Sequence, residues 1–287
     1  MRLATFRDEA GVHIGAVRDG QVAALDGVAA DMLSLIDAGA VGLASAQSAA
    51  AAAADWRPLT GVTLLAPIPR PRQNVVCVGL NYVAHAIESD RARGREPKLP
   101  SAPVFFTKAI TAVANPHSEF VLDPQVTAQL DYEAELAFVI GRSGKNIPRS
   151  EALGYVFGYM VGNDISARDL QSQHQQFFKG KSLDGSCPLG PWIVTADEIP
   201  DPAALTVRLR VNGEQRQQSS VSDLIFDVGT LIERLSLGMT LEAGTIVLTG
   251  TPAGVGLGFT PPKFLQPGDV VETEIDGIGK LVTRIVG

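Results

Sequence analysis

Hydrophobic and polar positions alternate through much of this chain, interrupted by short stretches of helical spacing. The longest alternation, Asp131-Tyr132-Glu133-Ala134-Glu135-Leu136-Ala137-Phe138-Val139-Ile140-Gly141, is rich in β-branched and aromatic residues and predicts a strand. With period two, Asp131, Glu133 and Glu135 share one face with Ala137 and Val139, and Tyr132, Leu136, Phe138 and Ile140 share the other. Both faces turn apolar toward the end, so the strand enters a core with two carboxylates about 7 Å apart at its mouth. Like charge and desolvation both oppose ionisation there. A bound cation would resolve that conflict; a solvated acidic face on an amphipathic strand is the alternative.

Residues 1–26 predict short strands broken at Glu9-Ala10-Gly11 and at the hairpin signal Asp19-Gly20. Asp31–Ala38 and the alanine-rich Ala44–Asp55 predict helices. Pro67, Pro69 and Pro71 then predict an extended linker between a small N-terminal α+β module, residues 1–66, and a main domain over residues 70–287. Asn74–Gly79 predicts a short apolar strand, followed by a helical segment in which His85 and Glu88 fall at i and i+3, close enough to share a proton. From Ser89 to Pro103 periodicity disappears among Arg91, Arg93, Gly94, Arg95, Pro97 and Lys98, which predicts a mobile loop.

Pro103–Lys108 predicts a strand ending in a lysine, and Glu151–Asp164 a helical turn passing into an apolar strand that ends in Asn163-Asp164. Ser166–Gln171 predicts a short helix with Ser166 as its N-cap. Phe177–Gly185 reads as a loop with Lys179 and Lys181 beside aromatics. Further strands are predicted over 191–195 and 206–211, the latter leaving through Asn212-Gly213, with a packing helix over Phe226–Leu237 and a closing hairpin around Asp276-Gly277. The strand starting at Gly244 opens into a glycine-rich loop reaching Gly256 that has neither phosphate-loop nor dinucleotide-binding spacing.

Composition narrows the picture. With 45% hydrophobic and 19% charged residues, 29 Gly and 18 Pro, the chain has the make-up of a loop-rich globular protein. A net charge of −7 and a pI near 5.1 argue against nucleic acid or an anionic membrane as partner. Cys77 and Cys187 stand alone, in no disulfide framework or zinc-thiolate spacing, which fits a reducing compartment. No signal-like or membrane-length apolar run occurs, so a cytoplasmic, soluble protein is expected. His13, His117 and His174 are expected to be packing or surface residues.

Carboxylates, cations and the His/Glu pair fall where strands give way to loops, the usual place for a site. Glu133, Glu135 and Asp164 are hard oxygen ligands, and without His or Cys they suit Mg²⁺ or Mn²⁺ better than zinc.

Five separated motifs then occur in one order: Gly79-Leu80-Asn81-Tyr82 with His85 and Glu88; Asp131-Tyr132-Glu133 with Glu135-Leu136; Asn163-Asp164 with Ser166-Ala167-Arg168-Asp169; Lys181-Ser182 with Asp184; and Thr249-Gly250-Thr251-Pro252. Together they resemble the fumarylacetoacetate hydrolase family over roughly residues 70–287. The resemblance implies an α+β, mainly β fold, a mixed β-sandwich roll beside the small N-terminal module, assembled as a homodimer. It implies a divalent metal held by Glu133, Glu135 and Asp164, with Mg²⁺ first and Mn²⁺ or Ca²⁺ as alternatives. It further implies a catalytic His85/Glu88 dyad, a catalytic Lys181, a carboxylate-binding Thr251, and substrate contacts at Arg168, Gln171 and Lys108. Longer members bring another acidic metal ligand from their N-terminal region, and no counterpart is seen before residue 70. The short module resembles the bacterial acylpyruvase and 2-hydroxyhepta-2,4-diene-1,7-dioate isomerase branch.

The substrate expected is a small 2-oxo acid. The leading reading is hydrolysis of acylpyruvate-type 2,4-dioxo acids to pyruvate and an acid, with His85 activating water. Decarboxylation of oxaloacetate and isomerisation or hydration of 2-hydroxy-dienoates are the competing reactions. A non-catalytic binding protein is the reading from another class.

Overall fold

The strand Ala134–Ile140 is buried at every residue, and its position explains why both of its faces are apolar. In the computed structural model, which describes residues 1–287, it lies inside a twelve-stranded sheet between Val156–Asn163 and Ile246–Leu248, antiparallel to both. Leu136, Phe138 and Ile140 enter a core of 34 buried residues on one side of the sheet, while Ala137 and Val139 enter a second core of 23 on the other. The fold is mixed α+β and mostly strand, as expected.

The first core is closed by a five-stranded sheet in the order Glu214–Ser220, Thr206–Val211, Val270–Ile275, Gly279–Val286 and His117–Val121. These strands alternate buried and half-exposed positions, as a sheet with one wet face should. The second core is closed by the helices Met32–Asp37 and Gly39–Ala52, which contribute Met32, Leu35, Ile36 and Ala46. The strand Arg2–Asp8 pairs with Cys187–Thr195 through Arg2↔Val194 and Leu3↔Ile193, so the N-terminal strands continue the same large sheet. The proline-rich stretch is packed: Ala66 and Ile68 are buried, and the Pro67 carbonyl accepts from Thr5 Oγ1 at 2.7 Å.

Besides the packed proline stretch, four sequence expectations change, one of them at Ser166, which lies in the strand Ser166–Ala167 and leaves Ala167 as the N-cap of the helix that follows. The predicted Asp131–Gly141 strand is broken: Leu130–Asp131 pairs with Ser166–Ala167, Tyr132 and Glu133 fall outside any ladder, and the strand resumes at Ala134. Side-chain capping causes the break, with Asp131 Oδ1 accepting from the Tyr132 N–H and Asn163 Oδ1 from the Glu133 N–H. Asp131 therefore leaves the face it was expected to share with Glu135. The predicted loop from Ser89 begins later, because the helix Val83–Ala92 carries on past the dyad. The predicted Phe177–Gly185 loop contains a helical turn, Phe178–Lys181, set against the helix Arg168–Gln173. No side chain larger than glycine fits at 180, where a Cβ would lie 2.5 Å from the Gln171 nitrogen. No helix is long and apolar enough to cross a membrane.

Candidate active site

Where the central strand begins, Glu133, Glu135 and Asp164 each bring a carboxylate oxygen to within 4.8 Å of the others. Backbone stitching sets this spacing. Ala134 pairs with Asn163, and the Asp164 N–H donates to the Glu133 carbonyl at 2.9 Å, which draws the two strand ends together. Glu135 reaches the same space from within the strand and accepts from the Gly250 N–H at 2.6 Å. All three side chains are buried.

Carboxylates this deep need compensating charge. Lys181 Nζ bridges Glu133 Oε2 at 2.8 Å and Asp164 Oδ2 at 2.7 Å, and Lys108 Nζ binds Asp164 Oδ1 at 2.7 Å. Arg168 joins Glu133 Oε1 at 2.7 Å to Asp131 Oδ2 at 2.8 Å. Burial alone would raise the Glu133 carboxyl, but Lys181 and Arg168 outweigh it and hold the group well below the usual carboxylate range. Burial likewise opposes the charge on Lys181, and Asp164 and Glu133 overcome it, raising the ammonium above its ordinary value. Glu135 has no cation of its own. Burial pushes it well above its usual range, and the nearby Asp164 and Glu133 push it further.

That imbalance tests the site for a metal. Three hard oxygen donors converge, one of them carries no compensating cation, and no His or Cys lies among them, a donor set suited to a divalent ion of the Mg²⁺ or Mn²⁺ type. The residues fit such an ion.

The glycine-rich loop after Ile246–Leu248 turns out to organise the site. Its backbone N–H groups hold the protein's own carboxylates: Gly250 holds Glu135, Gly254 holds Glu88 Oε1 at 2.9 Å, and Gly256 and Leu257 hold Asp131 at 2.7 and 3.0 Å. Glycine is needed for these approaches. At Gly254, φ is +101° and a Cβ would lie 2.0 Å from the Arg216 carbonyl, while at Gly258 it would lie 2.2 Å from Glu88 Oε1.

Across from the carboxylates, the helix Val83–Ala92 presents His85, whose Nδ1 faces Glu88 Oε2 at 3.4 Å. Its Nε2 makes no hydrogen bond within the protein. The cleft between is lined by His85, Ser89, Arg93, Glu133, Arg168, Gln171, Lys181 and Thr251, with Phe106 and Phe177 as its apolar side. Its free space is about 30 Å³, enough for a water-sized group or two. Roomier grooves elsewhere hold no comparable cluster, so chemistry and not volume identifies the site.

Of the residues expected from sequence, His85, Lys181, Arg168, Gln171, Thr251 and Glu133 line this cleft; Glu88 stands just behind His85, and Glu135 and Asp164 complete the cage. Arg168 Nη2 is buried without a partner, a free donor at the cleft, and Gln171 Oε1 accepts from Arg168 Nη1 at 3.1 Å. Thr251 Oγ1 accepts from Gln217 Nε2 at 2.8 Å, leaving its own hydrogen to donate. Lys108 corrects an expectation: it is fully buried behind the cage, bound to Asp164 and to the Ile165 carbonyl, and does not reach the cleft. In this position it balances the charge of the cage. Sequence reasoning missed Gln217, which caps the Ala134 N–H at 2.9 Å from the second sheet, as well as Ser89 and Arg93. No local pattern marks Gln217, whereas the spacing 85, 89, 93 was a helical signal hidden by the reading of a loop from Ser89.

Residues 74–286 match the fumarylacetoacetate (FAA) hydrolase C-terminal family. The chain is 54% identical over 228 residues, 79% of its length and 74% of the relative's, to oxaloacetate tautomerase YisK of Bacillus subtilis. Among solved structures, it superposes on a fumarylacetoacetate hydrolase from Exiguobacterium antarcticum with a TM-score of 0.84 and 41% identity, covering 100% of this chain and 99% of that one. Maleylpyruvate hydrolase from Sphingobium sp. SYK-6, solved with manganese(II) and pyruvate, gives a TM-score of 0.81 and 30% identity over 100% and 99%.

Proposed function

Because the chain belongs to the fumarylacetoacetate hydrolase family, whose members resembling it include hydrolases and a tautomerase, we propose that it is a divalent-metal-dependent tautomerase of a small 2-oxo acid, with oxaloacetate as first substrate. The observation that carries the choice of reaction is the 54% identity to an oxaloacetate tautomerase across 79% of the chain. The site supports the class of chemistry: an imidazole with a free nitrogen faces a carboxylate cage across a narrow cleft.

Glu133, Glu135 and Asp164 would hold the ion, Mg²⁺ first, and when bound it supplies positive charge against the negative charge developing on the 2-oxo oxygen. His85 moves the proton at carbon 3: in the enol-to-keto direction it delivers a proton there while the enol hydroxyl gives its own to water, from which the ring is reprotonated, and the reverse direction runs the same transfers backwards. Glu88, pinned by the Gly254 N–H, orients the ring through Nδ1. The unpaired Arg168 Nη2 and the Thr251 hydroxyl supply donors for the carboxylate beside the 2-oxo group. Phe106 and Phe177 keep water from the reacting carbon.

Hydrolysis of acylpyruvate-type acids, first on sequence grounds, becomes the second reading. It uses the same dyad to activate water and is favoured by the likeness to maleylpyruvate hydrolase. The ultraviolet absorbance of enol-oxaloacetate, followed together with pyruvate release, tests the choice. The proposed function predicts enol decay accelerated with Mg²⁺ and suppressed by chelation, without matching pyruvate. Rapid pyruvate release from an acylpyruvate with no effect on enol decay would reverse the order, and pyruvate with CO₂ from oxaloacetate would make the enzyme a decarboxylase.

A further inference from the structure

The helix bearing the dyad extends past it, and His85, Ser89 and Arg93, spaced four apart, all face the cleft. Ser89 is buried, and its Oγ accepts from Arg93 Nη1 at 2.5 Å. That contact turns the guanidinium back along the helix and into the cleft. Lys108, Lys181 and Arg168 each pair with a carboxylate at 2.7 to 2.8 Å, whereas Arg93 enters no ion pair. Burial, and next the guanidinium of Arg168, oppose its charge and lower it from its ordinary value. A half-buried cation beside a second cation is unfavourable until an anion joins it. Asp131, Glu133 and Asp164 are already matched by Lys108, Lys181 and Arg168, and Arg93 pairs with no carboxylate of the protein, Glu135 included, which leaves the ligand to bring its anion.

We propose that Arg93 determines specificity by binding the distal carboxylate of the substrate, the one not adjacent to the 2-oxo group, so that the site selects dianionic over monoanionic 2-oxo acids. This rests on the reading of the cleft as a 2-oxo acid site. Arg168 Nη2 and Thr251 take the proximal carboxylate at the cage, and Arg93 takes the far end beneath the helix terminus. Arginine suits the task because its planar fork matches a carboxylate with two parallel hydrogen bonds.

The test is calorimetric titration of the Mg²⁺-loaded protein with two four-carbon 2-oxo acids: 3,3-difluorooxaloacetate, a dianion with no proton to lose at carbon 3, and 2-oxobutanoate, a monoanion. The wild type is expected to bind the dianion at least about tenfold tighter. Arg93→Met should weaken the dianion by roughly 10- to 100-fold, the range of a charged hydrogen bond, and change the monoanion by less than about threefold. Arg93→Lys, which keeps the charge at the helix end but loses the fork, should fall between. An equal loss for both ligands, or no loss for either, in both variants would overturn the proposal. Enol-oxaloacetate turnover by the wild type separates the two claims. Absent turnover with an Arg93-dependent preference would sink the reaction and keep the subsite; turnover without such a preference would do the opposite.

Discussion

Glu133, Glu135 and Asp164 hang from strand ends in the middle of a twelve-stranded sheet, fixed by backbone hydrogen bonds and by three buried cations. His85 and Glu88 ride instead on a ten-residue helix, capped by Arg93, whose outer side is wet and which runs into an exposed segment, Gly94 to Leu99. One wall of the cleft is packed on all sides, and the other has a solvent-facing back. The difference gives each wall a task. The cage wall holds charge in fixed geometry, where small displacements cost most. The cleft, at about 30 Å³, is narrow for a four-carbon acid, so the helix wall is expected to open for substrate and to exclude water on closing.

The sharpest way to break this contrast lies inside the cage. Asp164→Asn removes the negative charge shared by Lys108 and Lys181; it should abolish turnover and cost about 3–5 kcal/mol in chemical unfolding, the usual effect of stranding a buried charge. Glu135→Gln should also abolish turnover, yet leave the metal-free protein as stable or more so, because it removes a repelled carboxylate with no cation partner. Its melting temperature should no longer rise with added Mg²⁺. Equal destabilisation by both substitutions would contradict the charge assignment.

Damage to the helix wall should spare the cage. Glu88→Gln is expected to cut tautomerisation by about 100-fold, the scale of general acid–base catalysis, with Mg²⁺ affinity unchanged by calorimetry. Gly258→Ala should resemble it, since the added Cβ collides with the Glu88 carboxylate. Loss of metal binding in either would show that the walls are not independent.

Limited proteolysis reads the movement. Trypsin should cut first at Arg95 or Lys98, and Mg²⁺ with oxalate should slow that cut several-fold. Unchanged cleavage would mean that the segment is no lid.

The smallest effect lies far from the cleft, where His13 Nδ1 contacts Asp26 at 2.7 Å and Nε2 contacts Asp8 at 3.0 Å. Burial opposes the charge on His13, but Asp26 and Asp8 outweigh it and raise the imidazole above its ordinary value. Its contribution to stability is therefore complete below the unfolded value of about 6.5 and fades as pH rises through the folded value. The wild type should lose slightly more melting temperature than His13→Gln between pH 6 and 8, and less so in high salt. Identical profiles would remove the pairing from the account.

Part of the site was legible because acids at the ends of apolar strands, as at Glu133, Glu135 and Asp164, leave few explanations, and the five ordered motifs then chose a metal cage over a solvated face. What escaped depended on the chain's return to itself. The glycine loop fitted no phosphate spacing, and its anions are the protein's own carboxylates, from residues 88, 131 and 135. Lys108 reads from sequence like any lysine ending a strand, and only the third dimension puts it behind Asp164. The helix reaches Ala92 although its last turn is rich in polar residues, since His85, Ala86 and Ser89 supply the buried face that its composition obscures.

Proton movement at carbon 3 is the core of the account, and solvent exchange observes it directly. Nuclear magnetic resonance of oxaloacetate in D₂O, with catalytic amounts of protein and Mg²⁺, should show deuterium entering carbon 3 well ahead of the enzyme-free rate, with the four-carbon skeleton intact. His85→Asn should remove that acceleration while still binding Mg²⁺. Exchange no faster than without enzyme, or an unchanged rate in His85→Asn, would contradict the assignment of His85 as the group that moves the proton.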